Sequence, residues 1–230
     1  MIERIGEAPR RTVARIAGVL YLLDILTSLL GDSLAGRTHV VPGNAAASII
    51  ARDALLRLGV AANLFATACY AAVTVLFYAL FKVVNRNLAR LVMVTSLTAL
   101  AIWTSGSLSE LAATLVPPGG DASRPRAGQQ GLVLLAWNAR ASDLGLVVFG
   151  AYCLLIGYLI VKSTFLPRVL GILMTLGGMG LLTYLSPPLA SDLYPYNAAP
   201  ALVGETSLML WLLVKGVTVR KETGSCDHVM

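Results

Sequence analysis

The feature that most constrains this chain is a succession of long apolar runs separated by alternately short, basic joins and longer, mixed ones. The short joins are residues 82–90 (K-V-V-N-R-N-L-A-R) and 162–168 (K-S-T-F-L-P-R). Each lies between two runs long enough to cross a hydrocarbon layer of ~30 Å, which takes about 20 residues of helix. Lipid offers no partner for a free N–H or C=O, so such runs must satisfy their backbone internally, as helices. The fold class expected is all-α, a polytopic membrane helix bundle of about six transmembrane helices.

Composition agrees. Hydrophobic residues make up 57% of the chain, mean hydropathy is +0.75, and charged residues reach only 13%, against about 25% in a soluble domain. Spans are expected near 13–31, 58–81, 88–116, 143–162, 166–186 and 199–218. Residues 1–12 then form a cytoplasmic N-terminal segment, 13–218 the transmembrane domain and 219–230 a cytoplasmic tail. Residues 44–56, with Ile49, Ile50, Leu55 and Leu56 beside Arg52 and Asp53, read as a short amphipathic helix in the interface. The run 132–137 is too short to cross and reads as a re-entrant or capping segment. Residues 117–126 (P-P-G-G-D-A-S-R-P-R) and the proline-rich 186–200 read as loops. The basic start, apolar stretch and Ser33-Leu34-Ala35 also fit a signal peptide. Asp24 within the stretch and its spanning length favour an uncleaved first span.

The basic residues set an orientation. With the N-terminus inside, the inner face holds Arg4, Arg10, Arg11, Arg15, Lys82, Arg86, Arg90, Lys162, Arg168, Lys215, Arg220 and Lys221. The outer face holds Arg37, Arg52, Arg57, Arg124, Arg126 and Arg140. The expectation is N-in and C-in, in the plasma membrane, with anionic lipids meeting the basic cytoplasmic face. The net charge of +6 does not suggest nucleic acid, because the basic residues are dispersed and carry no interleaved aromatic stripe.

Several chemistries find no support. Cys69 and Cys153 lie in apolar runs, Cys226 follows the last run, and no C-x-x-C occurs. The only histidines, His39 and His228, fall outside the spans, so neither a metal site nor an activated serine at Ser105, Ser107 or Ser109 is expected. The Gly177-Gly178-Met179-Gly180 run lacks the strand and lysine of a phosphate loop. No cofactor is expected.

The polar residues inside the spans gather on the outer side. Asp24, Asn63, Glu110, Asp143 and Glu205 all fall there, with Arg57 and Arg140 at the same level. Helical spacing extends them into stripes: Tyr21, Asp24, Thr27 and Ser28; Asn63, Thr67, Tyr70 and Thr74; Trp103, Gly106, Ser107, Glu110 and Thr114. A charge facing lipid costs several kcal/mol, so these faces should turn inward. Asp24, Arg57, Asn63, Glu110, Arg140, Asp143 and Glu205 are therefore the candidate ligand-binding residues. At least three of the four carboxylates are expected to line one outward-opening cavity, with Arg140 as counter-charge. The bland alternative is that these side chains simply join helices. Trp103, Trp137 and Trp211 suit interfacial anchors or cavity walls equally. Gly157 and Gly171, with Pro167 at the start of the fifth span, predict a tight hairpin of spans four and five.

Longer strings carry a family resemblance. Ala14-Arg15-Ile16-Ala17-Gly18 with Leu20-Tyr21-Leu22, and Tyr78-Ala79-Leu80-Phe81-Lys82-Val83-Val84-Asn85-Arg86, resemble a prokaryotic multi-pass membrane family, domain of unknown function 4386. So do Val148-Phe149-Gly150 through Gly157-Tyr158-Leu159-Ile160, Ser163, Phe165-Leu166-Pro167-Arg168, Leu170-Gly171 and Trp211-Leu212-Leu213-Val214-Lys215-Gly216. The resemblance implies six spans and no defined activity. Three functions remain open: binding or transport of a small or amphipathic ligand in an outward-facing cavity, a structural or regulatory subunit, and a metal-independent acid–base enzyme acting on a lipid or isoprenoid-like substrate.

Overall fold

The computed structural model describes residues 10–34, 45–114 and 125–217. Within them every long apolar run is helical and no strand occurs. The helices are α1 (Arg10–Leu34), α2 (Ala45–Phe81), α3 (Arg86–Thr114), α4 (Pro125–Lys162), α5 (Arg168–Leu182), a short α6 (Pro187–Leu193) and α7 (Ala199–Val214). A 3₁₀ turn (Thr183–Leu185) links α5 to α6. Five stretches are long and apolar enough to cross a membrane: Arg10–Leu34, Leu55–Phe81, Arg86–Ala112, Ala136–Lys162 and Arg168–Leu185. The sixth, α7, is apolar but has only 16 residues, a rise of about 24 Å.

Two expected interruptions are not there. Residues 45–56 continue directly into the second span, so α2 runs for 37 residues and is no separate interfacial helix. Residues 132–137 likewise sit within the unbroken 38-residue α4 and do not re-enter. Each helix is about 56 Å long, well beyond a ~30 Å core. Their early turns therefore project past the membrane, where Arg57 and Arg140 stay exposed without breaking the helix. The loop expected at 117–126 lies outside the described residues up to 124; Pro125 and Arg126 already begin α4. The irregular stretch expected at 186–200 contains α6 and the start of α7.

Ser and Thr hydroxyls inside the spans mostly donate back to the preceding turn. Thr67 bonds the Asn63 carbonyl at 2.9 Å, Thr104 that of Leu100 at 2.8 Å and Thr175 that of Gly171 at 2.8 Å. Such back-bonding lets a polar residue occupy a helix in lipid without an orphaned hydroxyl. The short joins end helices by local chemistry. Asn85 Oδ1 accepts the Leu88 N–H at 3.0 Å, capping α3. Gly216, at φ +65°, closes α7, its N–H donating to the Trp211 carbonyl at 3.1 Å.

The helices form a closed ring in chain order. Each of α1 to α4 packs on the next, α5 packs on α7, and α7 returns to α1. Glycines mark the contacts and show neighbours to be antiparallel: Gly31 of α1 abuts Gly59 and Asn63 of α2, Gly106 of α3 abuts Asn138 and Ala141 of α4, and Gly18 of α1 abuts Leu212 and Leu213 of α7. Spans four and five form the tight hairpin predicted, with Gly157 and Gly171 facing each other's carbonyls. Arg10, Arg11, Arg15, Lys82, Arg86, Arg90, Lys162, Arg168 and Lys215 thereby collect at one end of the bundle, called the basic end below. The outside of the ring carries exposed leucines, valines and isoleucines, among them Leu26, Leu58, Val94, Leu108, Ile172 and Leu210. A soluble domain does not leave apolar surface on that scale.

Candidate functional site

Aromatic rings fill the axis of the ring of helices. Tyr21 of α1 meets Tyr70 of α2 edge-on at 5.2 Å between centroids, Tyr70 meets Phe149 of α4 at 5.6 Å, and Phe149 stacks on Tyr152 at 5.0 Å. Trp103 of α3 leans on Phe149 at 5.2 Å. Tyr21, Tyr70 and Tyr152 are almost completely buried, and none of their hydroxyls has a hydrogen-bond partner. A buried orphan hydroxyl costs about 1–3 kcal/mol, so three around one axis mark a polar centre in an otherwise apolar core.

Above them, in the half away from the basic end, lies a cavity of about 340 Å³. Its polar lining comes from Asp24 and Ser28 of α1, Thr67 and Tyr70 of α2, Trp103 of α3 and Glu205 of α7. Ile25, Leu29, Leu100, Leu146, Phe149, Leu181, Ala198, Ala201 and Leu202 supply the apolar remainder. Among the described residues no basic side chain lines it. Asp24 and Glu205 lie within electrostatic range of one another, and Glu205 also feels Tyr21. Two wall residues are largely open to the bundle surface: Leu29 of α1 is 60% exposed and Leu202 of α7 is 63% exposed.

Local packing explains how each wall is held. Trp103 lies flat against Gly145, where any side chain would run into its indole, and its Nε1–H donates to the Ser142 carbonyl at 3.4 Å. Glu205 sits one residue after Gly204, which lets α7 approach Leu173 and Met174 of α5. Gly177 opposes Ala201 in the same seam. Asn197 donates from Nδ2 to Thr183 Oγ1 at 3.0 Å and to the Ala190 carbonyl at 3.2 Å, fixing the segment that brings Ala198 to the rim.

The seven residues expected to form a site do not all meet. Asp24 and Glu205 face the cavity; Arg57, Asn63, Glu110, Arg140 and Asp143 do not line it. Two carboxylates converge where at least three were expected, and Arg140 is not their counter-charge. Glu110 is buried between α3 and α4, its Oε2 accepting from Asn138 Nδ2 at 3.2 Å. Asn63 donates to Asp32 Oδ1 at 3.2 Å, joining α1 to α2. These contacts have the character of helix joints. Arg140 is exposed, with Asp143 half-buried three residues on. The level of each acid along its helix was legible, but its azimuth was not, so depth alone overestimated convergence. Tyr152 and Gly145 were missed. The i, i+3 step from Phe149 to Tyr152 in an apolar run was the available signal for the first; the second becomes visible only once Trp103 is placed against it. Among the described residues no group of three or more His, Cys, Asp or Glu is arranged to hold a metal ion.

Fold and site together define a multi-pass helical membrane protein with an acid-bearing, aromatic-walled cavity. The chain belongs to the family described as Domain of unknown function (DUF4386), whose model matches residues 16–216. No curated protein matches the chain, and no solved structure does.

Proposed function

We propose that this protein resides in the plasma membrane with its basic end cytoplasmic, and that its outward cavity binds or carries a small or amphipathic ligand. The observation that carries the reading is the cavity itself. It lies among all six large helices and is lined by two carboxylates and by Tyr70, whose hydroxyl has no partner, with mostly apolar and aromatic side chains around them. Membrane helices fill unused space with side chains, because an empty centre forfeits the dispersion contacts that hold a bundle together. At about 340 Å³ the space falls within the size range of small-molecule sites. Leu29 and Leu202, exposed on the bundle surface yet lining the cavity, favour a ligand that arrives from the outer leaflet between α1 and α7. The basic end, with Arg86, Arg90, Lys162 and Arg168 exposed, suits anionic headgroups of the inner leaflet.

The test is co-purification. Protein extracted in mild detergent is compared by mass spectrometry with Ser28→Phe, which fills the cavity from a half-buried position on α1. A species carried by the wild type and lost from a folded Ser28→Phe supports the reading. The same bound species in both proteins refutes it.

A further inference from the structure

The charge balance of the cavity says what class of ligand it suits. Asp24 and Glu205 bring two acids into a mostly apolar space, and no arginine, lysine or histidine among the described residues lines it to neutralise them. Uncompensated buried carboxylates are strongly disfavoured, so a positive partner is the complement such a wall lacks. The neighbouring surfaces suit one kind of positive charge. Tyr70, Trp103 and Phe149 present three aromatic rings to the same space, and ring faces attract an organic ammonium with little demand for hydration. Tyr70 is only 4% exposed and lines the cavity, and its hydroxyl has no partner. A small inorganic cation would want a shell of oxygen ligands, which leucines and rings do not supply. The leucine side of the cavity, continuing to exposed Leu29 and Leu202, suits an apolar tail.

We infer that the cavity is a site for a lipophilic organic cation, its ammonium held by Asp24 and Glu205 against Tyr70, Trp103 and Phe149 and its tail directed between α1 and α7. This deepens the ligand-binding reading above and rests on it. An acidic amphiphile would bring a further negative charge beside the two acids and is disfavoured there.

The experiment uses the full-length protein in nanodiscs of zwitterionic phosphatidylcholine, which removes attraction by lipid charge. Binding of three decyl amphiphiles is measured by titration calorimetry against empty nanodiscs: decyltrimethylammonium, decyldimethylphosphine oxide and decyl sulfate. The cation is expected to bind about tenfold more tightly than the other two. Asp24→Asn with Glu205→Gln should abolish that preference, with circular dichroism and size-exclusion chromatography reporting that the variant is folded. Should the double variant not fold, each single substitution is expected to reduce the preference at least about threefold. Phosphine oxide binding that Ser28→Phe abolishes, without preference for the cation, overturns the cation assignment and leaves the cavity as a ligand site. A cation preference that survives both carboxylate substitutions also overturns it. Indistinguishable binding of all three amphiphiles to wild type and Ser28→Phe overturns both readings together.

Discussion

The α4–α5 hairpin offers the sharpest test of how this bundle is held. A methyl group on Gly157 would stand 2.7 Å from the Gly171 carbonyl oxygen, 2.5 Å from Thr175 Oγ1 and 3.0 Å from Thr175 N. One on Gly171 would stand 2.6 Å from the Gly157 carbonyl oxygen and 2.9 Å from Val161 N. The blocking atoms are mainly backbone, so no rotamer change can clear them, and the helices must move apart. Thr175 cannot swing aside freely either, because its hydroxyl is bonded to the Gly171 carbonyl. Overpacking of this kind costs about 1–3 kcal/mol. Replacing glycine by alanine in a helix returns up to about 1 kcal/mol of backbone entropy. Each of Gly157→Ala and Gly171→Ala is therefore expected to destabilise by about 1–2 kcal/mol. Because both close the same gap, the double variant should cost less than the two together, with a coupling of at least about 0.5 kcal/mol. Unfolding by sodium dodecyl sulfate in mixed micelles, followed by circular dichroism, measures all four proteins. Single variants as stable as wild type, or costs that simply add, would refute the idea that one shared close approach organises the hairpin.

Three further outcomes follow from the same contacts. Thr74→Val removes the buried 2.8 Å hydroxyl pair between Thr74 of α2 and Ser96 of α3 and should cost about 0.6–2 kcal/mol; adding Ser96→Ala should recover part of the loss, and a larger loss in the double variant contradicts this. Gly145→Ala drives a methyl into the Trp103 indole, so it should destabilise by about 1–3 kcal/mol and alter Trp103 fluorescence, whereas an unchanged spectrum would show that Trp103 does not rest there. Single cysteines at Ser191 and Ser123 should react with a membrane-impermeant maleimide added outside intact cells, and one at Ser225 only after lysis; the reverse pattern inverts the proposed orientation.

Much of the architecture could be read directly from the chain. Apolar run length placed the spans, charged joins placed the ends, and Gly157, Pro167 and Gly171 announced the hairpin. What stayed hidden was azimuth. Helical spacing shows which residues share a face but not which neighbour that face meets. Asp24 and Glu205 therefore proved to be cavity residues while Glu110, at a similar depth, turned toward Asn138. The starts of α2 and α4 were misplaced for a different reason. Arg52, Asp53, Arg57, Arg140 and Asp143 look like boundaries of apolar runs, yet a helix emerging into water tolerates charge and need not stop. The tyrosine cluster was only half visible, because Tyr21 and Tyr70 lay on polar stripes and Tyr152 sat in an unbroken apolar run.

The seam between α1 and α7 gives the site a history as well as a shape. Gly18 brings α1 so near α7 that a methyl there would lie 2.8 Å from Leu213 N, yet Leu213 is synthesised about 195 residues later. At about 5–20 residues per second, that is a wait of about 10–40 s. Through that interval Ala14, Ala17 and Tyr21, fully buried in the finished bundle, lack one of their walls. Asp24 stands without Glu205 opposite it, so a nascent or prematurely stopped chain carries a lone acid facing a gap. The cavity is thus completed at the same moment as the ring, when α7 brings Ala201, Leu202 and Glu205 to its lining.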